Sequence, residues 1–345
     1  MANKVVVGMS GGVDSAVAAL LLKQQGYEVI AVTLSLFAYT TEDSGGCCSF
    51  NDTIDATKVC DILGIEHLVI SRRNKFLNDV IKPYLNGHAN GITPNPCVSC
   101  NNTIKIPSLV DIAKHIGAQY VATGHYARII DGKITKGMDP SKDQSYFLWE
   151  LCSKDIIDHL LFPLGNMTKA EVREIAAKNN LPVASKHDSM NLCFLEGKSK
   201  EEFLDKHGVG TAHAEVVEQS TNKVLLKSGK GINGYTPGQR LGGYAASDGK
   251  PRFVLKVIPE NNQVVVGFKE DLATTNIKLN NIVVSESTNL DAPIYAVCRY
   301  KNPPIQIKRI NKDSIDLTQP AYGIAPGQSV VFYQDDMVVG GGIIA

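Results

Sequence analysis

A turn rich in glycine and serine near the start of the chain has the residue types that bind phosphate. Gly8, Gly11 and Gly12 let the backbone bend and approach an anion without a Cβ in the way. Ser10 and Ser15 add hydroxyl groups that can donate hydrogen bonds to phosphate oxygens. The sequence therefore predicts an anion-binding turn.

The elements on either side of this turn would aim it at a ligand. Val5–Val7 is typical of a buried strand, and residues 13–25 show the apolar spacing of a helix. A strand, a glycine turn and a helix direct free backbone N–H groups and a positive helix end at an anion. Asp14 either holds a metal ion or orients the turn. The turn lacks the Gly-Lys-Ser/Thr ending of a Walker A loop, which argues against a kinase or a motor ATPase. It also lacks the spacing of a dinucleotide fingerprint, which argues against a dinucleotide-binding protein.

Two cysteines form a C-x-x-C pair, Cys97 and Cys100, in a segment with two prolines. Because proline stiffens the chain, residues 91–101 are predicted to be an irregular loop. The pair is compatible with zinc, an iron–sulfur cluster or redox chemistry. The sequence has no second C-x-x-C to complete a four-cysteine zinc site, so structural zinc is disfavoured.

Cys193 is a further candidate for thiol chemistry because it lies in a polar segment without clear periodicity. Lys186 and His187 are close in sequence and would favour its thiolate. The vicinal pair Cys47–Cys48 has no assigned role. The remaining thiols are predicted to be small core residues: Cys60, Cys152 and Cys298.

Composition sets the broad class of the protein. The chain has 345 residues, 43% hydrophobic and 20% charged, as expected for a globular protein with two or three domains. Because the formal net charge is zero, a nucleic-acid partner would have to bind local basic patches. No apolar run reaches the roughly 18 residues of a membrane span, and the first residues are too short for a signal peptide. We therefore predict a cytoplasmic protein without membrane contact and with reduced cysteines.

Strands and helices alternate through the first part of the chain, which predicts a doubly wound parallel sheet with helices on both faces. The dipeptide Asp131-Gly132 predicts a hairpin, and capping boxes at Thr168 and Ser199 predict two further helices. The predicted strands cover residues 5–7, 28–36, 67–71 and 120–124. The predicted helices cover residues 13–25, 53–63, 74–86 and 106–116.

From about Val209 the helical periodicity gives way to short β-rich segments between Gly, Asn and Pro turns. This pattern predicts one or two small β-barrels or sandwiches. The predicted strands cover residues 252–258, 263–268, 282–284, 294–300, 305–310 and 329–333. We expect an α/β domain at residues 1–208, a small central β-rich domain at 209–270 and a C-terminal β-barrel domain at 271–345.

Several separate motifs, in order along the chain, resemble those of the bacterial tRNA-specific 2-thiouridylases. These sulfurtransferases of the ATP pyrophosphatase (PP-loop) superfamily place sulfur on the wobble uridine of certain tRNAs. The motifs are the turn Ser10-Gly11-Gly12-Val13-Asp14-Ser15, Thr93-Pro94-Asn95-Pro96 ahead of Cys100-Asn101, Gly124-His125-Tyr126, Lys142 to Leu148, Asp188-Ser189 ahead of Cys193-Phe194, Tyr235-Thr236 ahead of Gly238-Gln239-Arg240, and Pro326-Gly327-Gln328-Ser329. The resemblance runs nearly end to end and implies a PP-loop fold, like that of the adenine nucleotide alpha hydrolases, for the first domain.

The resemblance implies a two-stage reaction with ATP and Mg²⁺. ATP first adenylates the 2-carbonyl oxygen of the uridine and releases pyrophosphate, and sulfur then displaces AMP. Cys193 would accept a persulfide sulfur from a sulfur-carrier protein or a cysteine desulfurase. Cys100 would attack that persulfide, releasing sulfide or leaving a Cys100–Cys193 disulfide. A thiolate suits this step because it is nucleophilic near neutral pH.

The resemblance also assigns the binding residues. The implied ATP contacts are Gly8, Met9, Ser10, Gly11, Gly12, Val13, Asp14, Ser15, Leu34 and Gly124. The implied contacts to the tRNA, including its target base, are His125, Lys142, Asp143, Gln144, Arg299, Tyr300 and Gln328.

One position departs from the family pattern. Cys97 stands where an aspartate that could act as acid or base is often found, although other members also carry cysteine there. The change creates a three-thiol set (Cys97, Cys100 and Cys193) that could hold a [4Fe–4S] cluster with one open iron site. Sulfide bound at that iron is the alternative to the persulfide route, and both remain open.

Other functions remain as competing hypotheses. An amidotransferase-type synthetase or an argininosuccinate synthase would share the glycine turn, but the chain shows no glutaminase domain and does have paired loop cysteines. A regulatory ATP-binding protein would not need Cys100 or Cys193. A pure RNA-binding module would leave the glycine turn unexplained.

Overall fold

A computed structural model gives the fold of most of the chain. It describes residues 3–37, 50–152, 156–188, 191–195, 197–209, 213–227, 230–242 and 248–345. The vicinal pair Cys47–Cys48 lies outside the described residues. The chain divides into two compact units, the first comprising residues 1–80, 96–197 and 336–339 and the second residues 81–95, 198–335 and 340–345.

The first unit is built on a five-stranded parallel sheet in the order β3-β2-β1-β4-β7. The strands of this unit are β1 (Lys4–Gly8), β2 (Glu28–Ser35), β3 (Glu66–Ser71), β4 (Tyr120–Ala122), β5 (Ala127–Ile130), β6 (Lys133–Lys136) and β7 (Leu160–Leu161). Val5, Val6 and Val7 are fully buried, as expected for a central strand covered on both faces. The parallel α/β sheet predicted from the sequence is confirmed.

The described residues form eight α-helices, six in the first unit and two in the second. They are α1 (Val13–Gln24), α2 (Phe50–Leu63), α3 (Arg73–Phe76), α4 (Lys82–Ala89), α5 (Pro96–Ser99), α6 (Ile106–His115), α7 (Lys169–Lys178) and α8 (Lys200–Lys206). Two π-helical segments, Leu77–Ile81 and Cys100–Lys105, join α3 to α4 and α5 to α6. Both predicted capping boxes are present, at Thr168 with Glu171 and at Ser199 with Glu202.

The second unit is rich in β-structure, as predicted. Its strands are β8 (Glu215–Glu218), β9 (Val224–Lys227), β10 (Phe253–Ile258), β11 (Gln263–Gly267), β12 (Thr274–Val284), β13 (Tyr295–Val297), β14 (Ile305–Ile310), β15 (Ser314–Ala321), β16 (Ser329–Gln334) and β17 (Met337–Ile344), the last beginning in the first unit. Strands β10-β11-β8-β9 form one sheet, and β12-β15-β14-β13-β16-β17 form a barrel closed by pairing of β12 with β17. Closure leaves the barrel no exposed edge.

Some local predictions were wrong. Residues 91–101 are not an irregular loop throughout, because helix α5 begins at Pro96 and continues into the π segment. Proline is well tolerated at a first helical position, where its missing N–H has no partner to lose. The short strand β7 and the long strands β15 and β17 were not predicted. The hairpin predicted at Asp131-Gly132 is confirmed as β5–β6, with φ positive at both turn residues.

None of the helices in the described part of the chain combines the length and the apolar character that a membrane span requires.

Candidate active site

A pocket opens in the first unit where strands β1, β2 and β4 end. Ligands of doubly wound sheets bind at this carboxyl edge, where the strand order reverses. The lining residues are Gly8, Met9, Ser10, Asp14, Ser15, Val32, Leu34, Leu36, Lys105, Leu109, Thr123, Gly124, His125 and Gln144. Most of the residues predicted to contact ATP are in this set, and Gly11, Gly12 and Val13 belong to the same turn.

Glycine is required at two positions beside the pocket. Gly11 has φ +70°, and a Cβ there would collide with the carbonyl oxygen of Asp52. A Cβ on Gly124 would lie 2.8 Å from the Asp14 carbonyl carbon and 2.9 Å from the Ser15 nitrogen. The end of β4 therefore approaches the start of α1 more closely than any other residue would allow.

Two serines organise the turn from within. The Ser10 backbone N–H donates to Ser15 Oγ at 3.2 Å, and Ser15 Oγ donates to the Gly12 carbonyl at 3.1 Å. Gly12 is the N-cap of α1 and has no side chain to cap the helix. The first-turn N–H groups and the positive end of the helix dipole thus remain at the pocket edge.

The Asp14 carboxylate is held by two side chains. Lys169 Nζ lies 2.7 and 2.8 Å from its two oxygens, and the Tyr126 hydroxyl donates to it at 2.8 Å. Burial and the neighbouring Asp14 carboxylate raise the pKa of Tyr126, which keeps its hydroxyl protonated as a donor. These contacts favour the second of the two predicted roles of Asp14, which is to orient the turn.

Asp188 joins three cations near the turn. Its carboxylate accepts from Lys142 at 2.7 Å, from Lys169 at 2.8 Å and from Arg173 at 2.8 Å. Partial burial acts to raise the pKa of Asp188, but hydrogen bonds from Lys142 and Lys169 outweigh it and lower that pKa to about 2. Asp188 is therefore a carboxylate at physiological pH, and it anchors the chain five residues before Cys193.

Lys186 has a different role from the one predicted. Its ammonium donates to the Gly11 carbonyl at 2.9 Å and pairs with Asp52 and Asp55, both at 2.7 Å. Burial acts to lower the pKa of Lys186, but the two carboxylates outweigh it and raise that pKa. The contacts of Lys186 thus hold the glycine turn against α2.

His125 and Gln144, both predicted to contact tRNA, line the pocket. His125 Nδ1 lies 2.7 Å from Thr123 Oγ1, and Gln144 Oε1 accepts from the Tyr126 backbone N–H at 3.0 Å. Burial and then the positive charge of Lys105 lower the pKa of His125 to about 3. The imidazole is consequently neutral at physiological pH.

Asp143, predicted with its neighbours to contact tRNA, is turned towards its own loop. Its carboxylate accepts from the Gly137 N–H at 2.9 Å and from the Ser145 N–H and hydroxyl at 3.1 and 3.0 Å. These bonds fix the turn that carries Lys142 and Gln144. The structure thus gives Asp143 a supporting place beside the pocket rather than on its wall.

The C-x-x-C cysteines lie at the start of a continuous helical segment. Cys97 in α5 is exposed, whereas Cys100, the first residue of the π segment, is only 5% exposed. Asn101 Nδ2 donates to the Phe147 carbonyl at 3.3 Å, and Asn102 bonds Glu150. The π segment is thereby tied to the 3₁₀ segment Ser145–Leu151, which belongs to another of the predicted motifs.

Cys193 begins a short 3₁₀ turn, Cys193–Leu195, and is half-buried. The next residue, Phe194, is buried and packs against Phe76 with ring centroids 6.3 Å apart. The buried Phe194 anchors this turn, while Cys193 beside it keeps part of its surface accessible.

The structure does not assemble the three-thiol set as a metal site. No group of three or more His, Cys, Asp or Glu side chains in the described ranges is arranged to hold a metal ion. An iron–sulfur cluster needs thiolate ligands converging on one point. The cysteines as placed do not fit such a cluster, and no reaction step is derived through one.

The remaining predicted tRNA contacts lie in the second unit. Gln328 Nε2 donates to the Thr93 carbonyl at 2.7 Å, and the Thr93 N–H donates to the Pro326 carbonyl at 2.8 Å. Arg299 is exposed and Tyr300 half-buried in the turn after β13, which ends at Val297, although the predicted strand extended to residue 300. Gln328 thus holds the segment before the C-x-x-C pair, a contact that the sequence did not indicate.

Comparisons with known proteins decide the family. Three family profiles match in succession: a tRNA methyl transferase HUP domain at residues 3–197, a tRNA methyl transferase PRC-barrel domain at 201–268 and an aminomethyltransferase beta-barrel domain at 274–344. The tRNA-specific 2-thiouridylase MnmA 1 of Caldanaerobacter subterraneus subsp. tengcongensis is 42% identical, over 99% of this chain and 98% of the relative. Those named tRNA-specific 2-thiouridylase MnmA in Lachnoclostridium phytofermentans and Hydrogenobaculum sp. are 40% and 42% identical over 99% of each chain. The chain belongs to the tRNA-specific 2-thiouridylase family.

Membership of the thiouridylase family confirms the sulfurtransferase class predicted from the sequence. The individual site residues remain predictions.

Sequence reasoning missed several residues of this thiouridylase-family site. Lys105 lines the pocket, and Thr33 donates from β2 to the Met9 carbonyl at 3.0 Å. Lys169 pairs with both Asp14 and Asp188, an arrangement that the sequence did not indicate. The signal in the sequence was its spacing, because Lys105 follows Cys100 by five residues in a segment that is helical.

Proposed function

We propose that this member of the thiouridylase family catalyses ATP-dependent 2-thiolation of the wobble uridine of tRNA. The observation that carries the proposal is the pocket at the carboxyl edge of the parallel sheet. It brings an anion-binding glycine turn, an apolar wall and the polar side chains of His125 and Gln144 to one place. That combination suits a nucleotide and a polar base side by side.

The chemistry of the lining supports ATP as the nucleotide in this pocket. The purine would pack against the apolar wall of Val32, Leu34, Leu36 and Leu109, and the β- and γ-phosphates would lie in the glycine turn. Mg²⁺ enters with the ATP phosphates, so the substrate is written as Mg-ATP. The contacts of Asp14 with Lys169 and Tyr126 support a turn held ready before ATP binds.

The first chemical step converts the uridine O2, a poor leaving group, into part of an adenylate from which AMP can leave. The uridine O2 attacks the α-phosphorus of ATP, the bond to the β-phosphate oxygen breaks, and pyrophosphate leaves with the electron pair. The N3 proton of the uridine is lost to solvent as the adenylated base forms. The glycine turn and the α1 N-terminus stabilise the charge that develops on pyrophosphate.

The second step delivers sulfur through the two thiols. Cys193 is half-exposed and takes a persulfide sulfur from a sulfur-carrier protein or a cysteine desulfurase. The Cys100 thiolate attacks the Cys193 sulfur of that persulfide, which forms the Cys100–Cys193 disulfide and releases hydrosulfide. Hydrosulfide adds at C2, AMP leaves, and the remaining proton settles on N3. A thiol reductant then restores both cysteines for the next turnover.

The tRNA is proposed to meet the chain at both units. His125, Lys142 and Gln144 contact it near the target base, and Arg299, Tyr300 and Gln328 contact it from the β-rich part, with Asp143 supporting its own turn. A base that is modified at C2 has to leave its stack to enter a pocket. The change of sequence pattern near residues 209 and 271 supports domains at 1–208, 209–270 and 271–345, and we propose the cytoplasm as the compartment.

The test is anaerobic formation of 2-thiouridine in unmodified tRNA with Mg-ATP and a persulfide-bearing carrier protein. We expect one AMP and one pyrophosphate for each 2-thiouridine formed. Formation of ADP and phosphate, or no thiolation with a donor that serves another thiouridylase, would overturn the proposal.

Cys97→Asp distinguishes the two sulfur routes in the same assay. The persulfide route needs only Cys100 and Cys193, so this variant is expected to retain thiolation. Loss of thiolation in a folded Cys97→Asp variant that still releases pyrophosphate would contradict the two-thiol route. Iron and acid-labile sulfide in the anaerobically purified wild type would contradict it independently.

A further inference from the structure

Lys105 is a charged pocket residue that the steps above do not use. It is the last residue of the π segment Cys100–Lys105 and lines the pocket together with Leu109 and His125. Among the lining residues in the described ranges, it is the single lysine or arginine. A lysine at this position in the pocket wall therefore indicates a role in binding or in catalysis.

The charge balance of the pocket makes Lys105 its main cation. Asp14, the acidic residue of the lining, is already paired with Lys169. Burial lowers the pKa of His125, and the positive charge of Lys105 lowers it further, so the imidazole adds no second positive charge to the pocket. When a nucleotide triphosphate enters, its negative charge meets Lys105 in a site with little other positive charge on its wall.

The backbone around Lys105 is shaped to place it there. Residues five apart on an α-helix point about 140° away from each other, because each residue advances by about 100°. A π segment has i→i+5 hydrogen bonds and a wider turn, so its first and last residues lie closer to one face. The π segment therefore brings Lys105 nearer to the face that carries Cys100 than an α-helix would, and such segments are frequent at functional sites.

We propose that Lys105 is a catalytic residue that contacts a non-bridging oxygen of the α-phosphate of ATP. This inference rests on the proposed function. The glycine turn takes the β- and γ-phosphates and the apolar wall takes the purine, which leaves the α-phosphate between them, beside His125 and Lys105. No other group on the pocket wall offers a full positive charge to that phosphate.

Lys105 acts in both steps without giving up a proton. In the first step the α-phosphorus binds five oxygens while O2 approaches and pyrophosphate departs, and the ammonium stabilises the charge on the non-bridging oxygen. In the second step the C2–O bond breaks and AMP takes its electron pair, so the same ammonium stabilises the leaving phosphate. The lysine serves as a fixed charge throughout.

The experiment measures pyrophosphate release in a single turnover with tRNA for the wild type, Lys105→Met and Lys105→Arg. Lys105→Met is expected to slow release by about 100- to 1,000-fold, the usual cost of removing one transition-state donor. Lys105→Arg keeps a cation and is expected to recover part of the rate. Lys114→Met is the matched control, since Lys114 is an exposed lysine near the end of α6 and should leave the rate unchanged.

Two further readouts separate catalysis from folding. Thermal unfolding should remain near the wild-type value, ATP binding without tRNA should weaken by much less than the rate falls, and NMR titration should show a higher pKa for His125 in Lys105→Met. If Lys105→Met does not fold, Lys105→Gln replaces it in the same assays.

A folded variant that lacks the lysine and releases pyrophosphate within about twofold of the wild-type rate would overturn the role of Lys105. That result leaves the proposed function intact as long as the wild type forms 2-thiouridine. A wild type that forms none would instead overturn the proposed function.

Discussion

The glycine turn and the cysteine segments of the same unit are built on different principles. Contacts from several elements fix the turn: Gly11 packs on the Asp52 carbonyl, Lys186 bonds the Gly11 carbonyl, and Lys169 holds Asp14. The thiols are spread over different environments, with Cys97 exposed, Cys100 buried and Cys193 half-buried. The turn is held in place by packing and ion pairs, whereas the three thiols are not gathered into a metal-binding group in the described part of the chain.

This difference matches what each half of the proposed reaction demands. Stabilising a departing pyrophosphate requires donors already in position, because reorganising them during the reaction would cost free energy. Relaying sulfur requires one thiol that an outside donor can reach and another that is shielded from it. The half-exposed Cys193 and the buried Cys100 meet those two needs separately.

The largest effect is expected from Cys193→Ala, which tests whether the two regions act independently. Thiolation from a protein persulfide should fall at least about 1,000-fold, while tRNA-dependent pyrophosphate release stays within a few-fold of wild type. The measurements are 2-thiouridine content by liquid chromatography and pyrophosphate release. Cys298→Ala is the control, because burial raises the pKa of that thiol to about 12 and keeps it inert. Loss of pyrophosphate release in Cys193→Ala would show that the regions are coupled.

The next effect is expected from Gly11→Ala, which tests how rigidly the turn is fixed. The added methyl would collide with the Asp52 carbonyl and would force a residue with a Cβ to φ +70°. ATP binding should weaken by about 100-fold, and the free energy of unfolding should fall by about 2–4 kcal/mol. Titration with ATP and urea unfolding provide the measurements.

Gly117→Ala is the matched control for Gly11→Ala. Gly117 also has φ +70°, but a Cβ there would have no atom within 4 Å. In Gly117→Ala, backbone strain alone should therefore lower the free energy of unfolding by about 1 kcal/mol, and ATP binding should be unchanged. Equal effects of the two substitutions would mean that the packing of the turn on Asp52 contributes nothing.

A smaller effect is expected from Lys186→Met, which removes the bond to the turn but leaves its glycines intact. Asp52 and Asp55 would both lose their ion pair with Lys186, so the free energy of unfolding should fall by about 1–3 kcal/mol. ATP affinity should fall by roughly 10-fold as the Gly11 carbonyl is released. Lys178→Met, which breaks an exposed pair with Glu174, should change neither quantity measurably. Wild-type ATP affinity in Lys186→Met would show that α2 does not position the turn.

The smallest effect is a pH dependence at Asp188, where the ion network adjoins the segment of Cys193. The folded-state pKa of about 2 lies below the ordinary 3.8, so the carboxylate stabilises the fold above about pH 4 and loses that contribution as the pH falls towards 2. The free energy of unfolding should differ between wild type and Asp188→Asn by about 1–2 kcal/mol at pH 7 and by less at pH 3. Urea unfolding at both pH values gives the measurement. A difference that does not shrink with acidity would show that charge is not what Asp188 contributes.

Much of the first unit could be predicted from the sequence because its signals are local. A buried valine strand, a glycine turn and an amphipathic spacing each depend on residues near one another, and β1, α1 and β4 follow them. The two-residue strand β7 carries almost no local pattern, since its pairing with β4 decides it. Helix α5 was missed because two prolines dominated the interpretation, although Pro96 stands at a position where a helix accepts it.

The candidate site was predictable in its residue types more than in its contacts. Gly11 is identified by the glycine-rich turn and Gly124 by the family resemblance, but their close approaches to Asp52 and Asp14 depend on how distant elements pack. The same holds for Lys186, whose partners lie more than 130 positions away in sequence. A sequence shows which side chains can carry charge, and only the fold shows which opposite charge each one meets.

The path of residues 81–95 limits how this chain can be divided. Tyr84 and His88 of α4 are buried, and Tyr84 packs against Phe203 with ring centroids 6.4 Å apart. Gly327 leaves room for Ile92 and Pro94, and Gln328 bonds Thr93. Residues 81–95, which lie in sequence between two parts of the first unit, thus depend on contacts with Phe203 and later residues, more than a hundred codons further along the gene. Recombination that exchanged the β-rich part alone would therefore deprive this segment of its contacts with Phe203, Gly327 and Gln328.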